Sequence, residues 1–118
     1  GSASGMAAAA ICSVRGGSKE QMGHACAMAL KNLMGLVCDP VAGLVEVPCV
    51  KRNVGGAVNA LAAADMALAG IANHIPVDQV IDAMGEVGMK MDVSLRETSM
   101  GGVATSPKGL EIAERLGM

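Results

Sequence analysis

No phenylalanine, tyrosine or tryptophan occurs in this 118-residue chain. Their absence removes the residues that suit the pleated, half-buried faces of a β-sandwich, and 20 alanines turn the expectation toward helices. It also removes the platforms on which single-stranded nucleic acid stacks. A pI near 5.6, a formal charge of −2 and the lack of a basic stripe exclude a nucleic-acid footprint on electrostatic grounds as well. Long apolar runs are missing too: Met6 to Cys12 spans seven residues, and Asn59 and Asp65 interrupt the richest later segment. A membrane-crossing helix of about 20 apolar residues is therefore not expected. No basic stretch leading into an apolar one marks a signal peptide.

What remains is 52% hydrophobic, with 16 glycines and 10 methionines. Core volume must come from Leu, Ile, Val and Met, while Ala and Gly let backbones approach closely. The apolar fraction excludes disorder, and the length suits one domain. Four cysteines, Cys12, Cys26, Cys38 and Cys49, all lie in the first half. A small secreted disulfide scaffold would not be this rich in Ala and Met, so a reducing compartment, the cytoplasm, is expected. Thiols there serve as buried spacers, nucleophiles or metal ligands.

Periodicity and punctuation predict an all-α bundle of about five helices. Ser4 is placed to cap a first helix with Met6, Ala7, Ala10, Ile11 and Val14 on one face, stopped by Gly16-Gly17. Ser18 and Gln21 have the form of a capping box opening a second helix through Met22, Cys26, Ala29, Leu30 and Leu33 to near Gly35. Leu36 to Pro48 is punctuated by Pro40, Gly43 and Pro48 and reads as an ordered apolar loop. A long helix follows from about Cys49 to Gly70, with Val50, Val54, Ala57, Val58, Leu61, Met66 and Ala69 as its apolar face. Gly55-Gly56 costs that helix about 1 kcal/mol per residue relative to Ala, which predicts a bend or a close neighbouring backbone. Pro76 starts a fourth helix with Val77, Val80, Ile81, Met84 and Val87 inward, ended or weakened at Gly88. Ser94 to Glu97 can form a single turn. Ser106 caps a last helix with Pro107 in its first position and Leu110, Ile112, Ala113 and Leu116 as apolar residues.

The chemistry concentrates in one stretch, Gly35 to Asn53. Cys38 and Cys49 stand eleven residues apart at the two ends of an apolar loop containing Pro40, Gly43 and Pro48. Cys49 falls on the first turn of the long helix, where free amides and the helix dipole favour thiolate over thiol. Cys38 precedes an Asp-Pro step that holds the backbone extended and lets the sulfur be aimed. The surrounding apolar residues are expected to exclude water. On spacing alone the pair can be small buried residues or ligands; a zinc knuckle is disfavoured, because no close Cys-x-x-Cys pair is present.

The run Cys38-Asp39-Pro40-Val41-Ala42-Gly43-Leu44-Val45-Glu46-Val47-Pro48-Cys49-Val50-Lys51-Arg52-Asn53 resembles the signature of the iron–sulfur-dependent L-serine dehydratases, and more closely the α chain of the two-chain bacterial form. Leu95 to Ala104 and Gly1 to Ala9 resemble the same family, so the likeness extends over nearly the whole chain. What the resemblance implies is a [4Fe–4S] cluster held by three cysteines, with one iron left open as a Lewis acid on the serine hydroxyl. A base takes the α-proton, hydroxide leaves, and the aminoacrylate product breaks down to pyruvate and ammonia. Cys38 and Cys49 match two of the three ligands; the third family position lies upstream of Gly1. The resemblance thus implies a C-terminal piece of a catalytic domain, inactive and cluster-free alone, with an upstream α-chain part and a β chain as partners. The absence of a cysteine in Arg115-Leu116-Gly117-Met118 favours the two-chain over the single-chain form.

Other candidates carry two readings each. Arg52 and Asn53 can receive a substrate carboxylate or serve as a surface and capping pair. Asp39 can orient a ligand or cap a turn. Cys12 and Cys26 fall within helices and read as packing residues. His24 and His74 have no acidic partner nearby in sequence, and Arg96, Glu97, Thr98 and Ser99 can line a polar wall before Gly101-Gly102. The competing assignment is a non-catalytic helical module whose work is association. Either way, apolar surface meant for missing partners predicts at least a homodimer.

Overall fold

The computed structural model describes residues 1–118 and is all-α. Five helices follow one another: α1 (Ser2–Val14), α2 (Lys19–Asn32), α3 (Cys49–Leu68), α4 (Val77–Lys90) and α5 (Pro107–Arg115). Single 3-10 turns occupy Val41–Gly43, Val93–Leu95 and Gly102–Thr105. The chain divides into two compact units, one of Gly1–Gly35 with Gly55–Met89, the other of Leu36–Val54 with Lys90–Met118.

In the first unit, small side chains make the core. Ala8 and Cys12 of α1, Ala25, Met28 and Ala29 of α2, and Ala60, Ala63, Ala64 and Ala67 of α3 form one buried cluster. A second cluster joins Ala27 and Leu30 of α2 to Val80 of α4, with Cys26, Val77 and Met84 packed against it. The Ser18–Gln21 capping box forms with both of its hydrogen bonds. Polar ties cross between helices. Ser4 Oγ donates to Gly56 O at 2.7 Å, and Asn59 Nδ2 donates to Ser4 Oγ and to Ala29 O, each at 3.0 Å.

These ties correct several expectations. Ser4 does not cap α1; it lies inside the helix, buried, and spends its hydroxyl on α3. A neighbouring helix does approach at Gly56, whose carbonyl Ser4 reaches, but a Cβ at Gly56 would meet Ser4 only at 3.8 Å and one at Gly55 would meet nothing, so the structure does not explain the pair. The apolar faces expected for α1 and α3 are only partly inward: Ala7, Ile11 and Met66 pack against the core, but Met6, Val14, Val50, Val54, Val58 and Leu61 are exposed, while Ser4, Gly5, Ala8, Ala60, Ala63, Ala64 and Ala67 are buried. The reason is distance. A Cβ on Gly5 would come within 2.7 Å of Leu30, so the helices meet too closely for larger residues at the seam. In α4, Ile81 is exposed and the helix continues through Gly88 to Lys90.

In the second unit, hydrogen bonds to loops outweigh apolar burial. The side chains turned inward are Asp39, Pro40, Val41 and Ala104. Ser106 caps α5 by accepting from the Gly109 amide, with Pro107 in the first turn. Gly109 seats α5 against the preceding turn, since a Cβ there would fall 2.4 Å from Val103 O. Leu110 and Leu116, expected to be inward, are about half exposed because that seam is closed by a glycine.

Candidate functional site

The loop between the two cysteines closes on itself. Val41 N–H donates to Val47 O at 2.9 Å, Leu44 N–H to Val41 O at 3.1 Å, and Glu46 N–H to Leu44 O at 2.8 Å. Ala42 holds a left-handed backbone (φ 56°) at the tight point, and the Val47–Pro48 peptide is cis. α3 then begins at Cys49, as the sequence leads one to expect. Two of its first-turn amides, those of Val50 and Arg52, are already taken by the carbonyls of Glu46 and Pro48.

Cys38 is held from both sides by a segment far away in sequence. Its N–H donates to Leu95 O at 2.9 Å and its carbonyl accepts from Glu97 N–H at 2.7 Å, forming a lone parallel bridge with Arg96. The two stretches singled out by resemblance, 38–53 and 95–104, are thus in direct contact. Glu97 and Ser99 both carry left-handed backbones, at φ 65° and 57°. A non-glycine residue in that region costs roughly 1–2 kcal/mol, and such strain gathers where surroundings fix a functional shape. Ser99 Oγ further donates to Pro40 O at 2.6 Å.

Asp39 is the hub. Its side chain is only 2% exposed, yet it is charged. Arg52 Nη1 donates to Asp39 Oδ1 and also to Val37 O at 2.9 Å, so one guanidinium nitrogen ties down both residues flanking Cys38. Val103 N–H donates to Asp39 Oδ2 at 2.6 Å. Burial would by itself raise this carboxyl, but the Val103 amide and the hydrogen bond and charge of Arg52 outweigh it and hold the group below its ordinary value. The Cys38 thiol moves upward: its partial withdrawal from water acts first, then the charges of Glu97, Cys49 and Asp39, against the pull of Arg52. Cys49 therefore lies within electrostatic reach of Cys38.

Other residues fall as follows. Asn53 Nδ2 folds back on its own helix and donates to Cys49 O at 3.0 Å. Cys12 is fully buried in the alanine cluster; Cys26 is partly buried, and burial pushes its thiol up. His24 Nδ1 accepts from the Asn73 amide at 3.1 Å, a structural bond, and His74 is exposed. The expected dry setting is not found. Cys38 is exposed, as are Val45 and Val47, because the closed loop turns Asp39 to Val41 inward and Leu44 to Val47 outward. No three His, Cys, Asp or Glu side chains of this chain converge as a metal-holding set. No helix is long and apolar enough to cross a membrane. Sequence reasoning missed the Asp39 hub and the Asn59 ties, although an Asp-Pro step followed by an arginine on the next helix was a readable signal for the first.

Compared with known proteins, residues 1–104 match the family described as serine dehydratase alpha chain, a region that contains both halves of the Cys38–Arg96 bridge. The chain belongs to the serine dehydratase alpha chain family. It is 62% identical over 116 residues to the probable L-serine dehydratase, alpha chain, of Bacillus subtilis (strain 168), covering 98% of this chain and 39% of that protein. To the L-serine dehydratase, alpha chain, of Peptoniphilus asaccharolyticus it is 53% identical over 112 residues, 95% of this chain and 38% of that protein. Similarity extends to L-serine dehydratase 1 of Escherichia coli (strain K12), with 46% identity over 105 residues, 88% of this chain and 23% of that protein. The chain therefore spans about two fifths of the alpha-chain relatives from Bacillus and Peptoniphilus.

Proposed function

We propose that these residues form part of an iron–sulfur L-serine dehydratase that converts L-serine to pyruvate and ammonia in the cytoplasm, and that Cys38 and Cys49 are two ligands of its [4Fe–4S] cluster. One observation carries the ligand assignment: a single hydrogen-bond-closed loop has Cys38 and Cys49 at its two ends. The donor chemistry fits, since such clusters are held by cysteine thiolates, and a thiol must lose its proton when it ligates. The remaining donor comes from outside these residues, in the upstream part of the α chain, with a β chain completing the enzyme. When bound, the cluster supplies a Lewis-acidic iron that stabilises charge on a poor leaving group such as hydroxide.

The chain's own residues do the holding. The Leu95–Glu97 segment fixes the Cys38 backbone, and α3 fixes that of Cys49. Arg52 Nη1 holds Val37 O and Asp39 Oδ1, which ties the loop to α3. The 118 residues alone lack full activity and cluster on this reading.

The test uses the full-length α chain with its β chain, purified without oxygen. Iron and sulfide should be present, and pyruvate should form from L-serine. Replacing Cys38 or Cys49 by Ala should remove both. A wild-type pair without iron and without pyruvate formation would defeat the assignment. A second reading, association alone, is favoured by the exposed stripe of Val50, Val54, Val58 and Leu61 on α3. On either reading, the isolated 118 residues should elute from gel filtration as a dimer or larger, since an apolar stripe of this kind seldom stays in water.

A further inference from the structure

We propose that Asp39 is a positioning residue, which through Arg52 and the Val103 amide sets the direction in which Cys38 presents its sulfur toward Cys49. The inference rests on the ligand assignment above only for the purpose of the alignment; the geometry stands apart from it. The chain around Cys38 is anchored at several points. Val37 O and the Asp39 carboxylate share Arg52 Nη1, Cys38 N–H and O are bonded to Leu95 and Glu97, and the second carboxylate oxygen receives Val103 N–H. Arg52 stands on the first turn of α3, three residues beyond Cys49. A single ion pair therefore joins the strand-like end of the loop to the helix that begins with the other cysteine.

Gly102 leaves the room that carboxylate occupies. Gly102 has φ +63°, and a Cβ built on it would fall 2.1 Å from Asp39 Oδ2. Glycine is required there both by backbone conformation and by space. A buried carboxylate without a partner is costly, and one removed from a pair leaves its partners stranded. The pair's value here is directional. Both bonds leave one nitrogen, Nη1, whose two hydrogens are fixed in the rigid guanidinium plane, whereas a lysine ammonium is a freely rotating point charge on a flexible stem. In metal sites, groups that orient the ligands are commonly worth 10–100-fold in affinity.

The experiment reads thiol alignment directly. Full-length α chain, prepared with its β chain and stripped of iron, is treated with dibromobimane, which fluoresces strongly once both arms have alkylated thiols. The bridged peptides are identified by mass spectrometry. Wild type should yield a Cys38–Cys49 bridge. Asp39→Asn should lower its yield on the order of 10-fold, and after anaerobic reconstitution the variant should surrender iron to a chelator on the order of 10-fold faster. Arg52→Lys, which retains the charge, should give an intermediate loss of both. If Asp39→Asn loses its helical circular dichroism, the Arg52→Lys bridge yield decides: reduced yield supports the positioning role, unchanged yield overturns it. A folded Asp39→Asn that bridges and keeps iron like wild type also overturns it, while leaving the cluster assignment intact. Should wild type bridge well and the variants poorly, with no iron taken up by any of them, the positioning role stands and the cluster assignment falls.

Discussion

The two compact units are held together by different physics. In the first, α1, α2 and the larger part of α3 meet through Ala, Gly and Ser, and no charge is buried in the seam. In the second, the inward residues are few, and a buried carboxylate and a series of backbone hydrogen bonds fix the loops. Close packing tolerates a lost methyl better than an added one. A hydrogen-bonded loop is indifferent to size at its surface but intolerant of a lost partner. The unit with the costlier interior is the one that carries Cys38 and Cys49, as expected where stability is exchanged for fixed geometry.

The sharpest way to break this contrast is Asp39→Ala. It strands a half-buried guanidinium and leaves the Val103 amide without its acceptor, and should destabilise the second unit by about 3 kcal/mol. Hydrogen exchange at the amides of Cys38, Glu97 and Val103 should accelerate, while those inside α1 and α2 hold. Uniform acceleration through both units would show that they share one cooperative core. Ala63→Leu makes the opposite probe. Ala63 is fully buried in the alanine cluster, and forcing three extra carbons into that seam should cost about 2 kcal/mol. The loss should register in α1, α2 and the later turns of α3, with the Cys38 amide unchanged.

Asn59→Ala tests the polar exception within the first unit. It removes donors to Ser4 Oγ and Ala29 O and should cost about 1.5 kcal/mol, because both acceptors lie in partly buried surroundings. Ser4 keeps its bond to Gly56 O, so the close contact of α1 with α3 should persist in the variant. A chemical-denaturation series on the three variants should rank Asp39→Ala first and Asn59→Ala last.

Helix number and nearly all helix starts were legible because they depend on local chemistry: the Ser18 box, Pro107 after Ser106, and the break from Leu36 to Pro48 all work within a few residues. Facing was only partly legible for α1 and α3: Ala7, Ile11 and Met66 do pack on the core. Counting large apolar residues places Val50, Val54, Val58 and Leu61 inward, but the closest points of the seam are taken by Ala, Gly and Ser, and where those points fall is decided by the partner helix. Cys38 and Cys49 could be read as the two ends of the loop. The segment that grips Cys38 could not be foreseen, since its hydrogen bonds run from backbone to backbone across some 57 residues and leave no mark on side-chain identity. Asp39 lay between these cases: residue type and the later Arg52 were visible, burial was not.

The smallest expected effects separate local capping from surface charge, and they sharpen the comparison by fixing its floor. Ser18→Ala removes the acceptor for the Gln21 amide at the start of α2 and should cost about 1 kcal/mol, since an orphaned helix donor gains only water in return. Arg15→Ala breaks the ion pair with Asp65, but both side chains are at least half exposed and already well solvated. Its cost should stay within about 0.5 kcal/mol and shrink further in high salt, as screening removes what attraction there is. Denaturation midpoints at low and high ionic strength measure both. A large, salt-insensitive loss for Arg15→Ala would mean that the first unit also depends on a fixed charge pair, and the division between a unit held by packing and one held by hydrogen bonds would no longer describe this molecule.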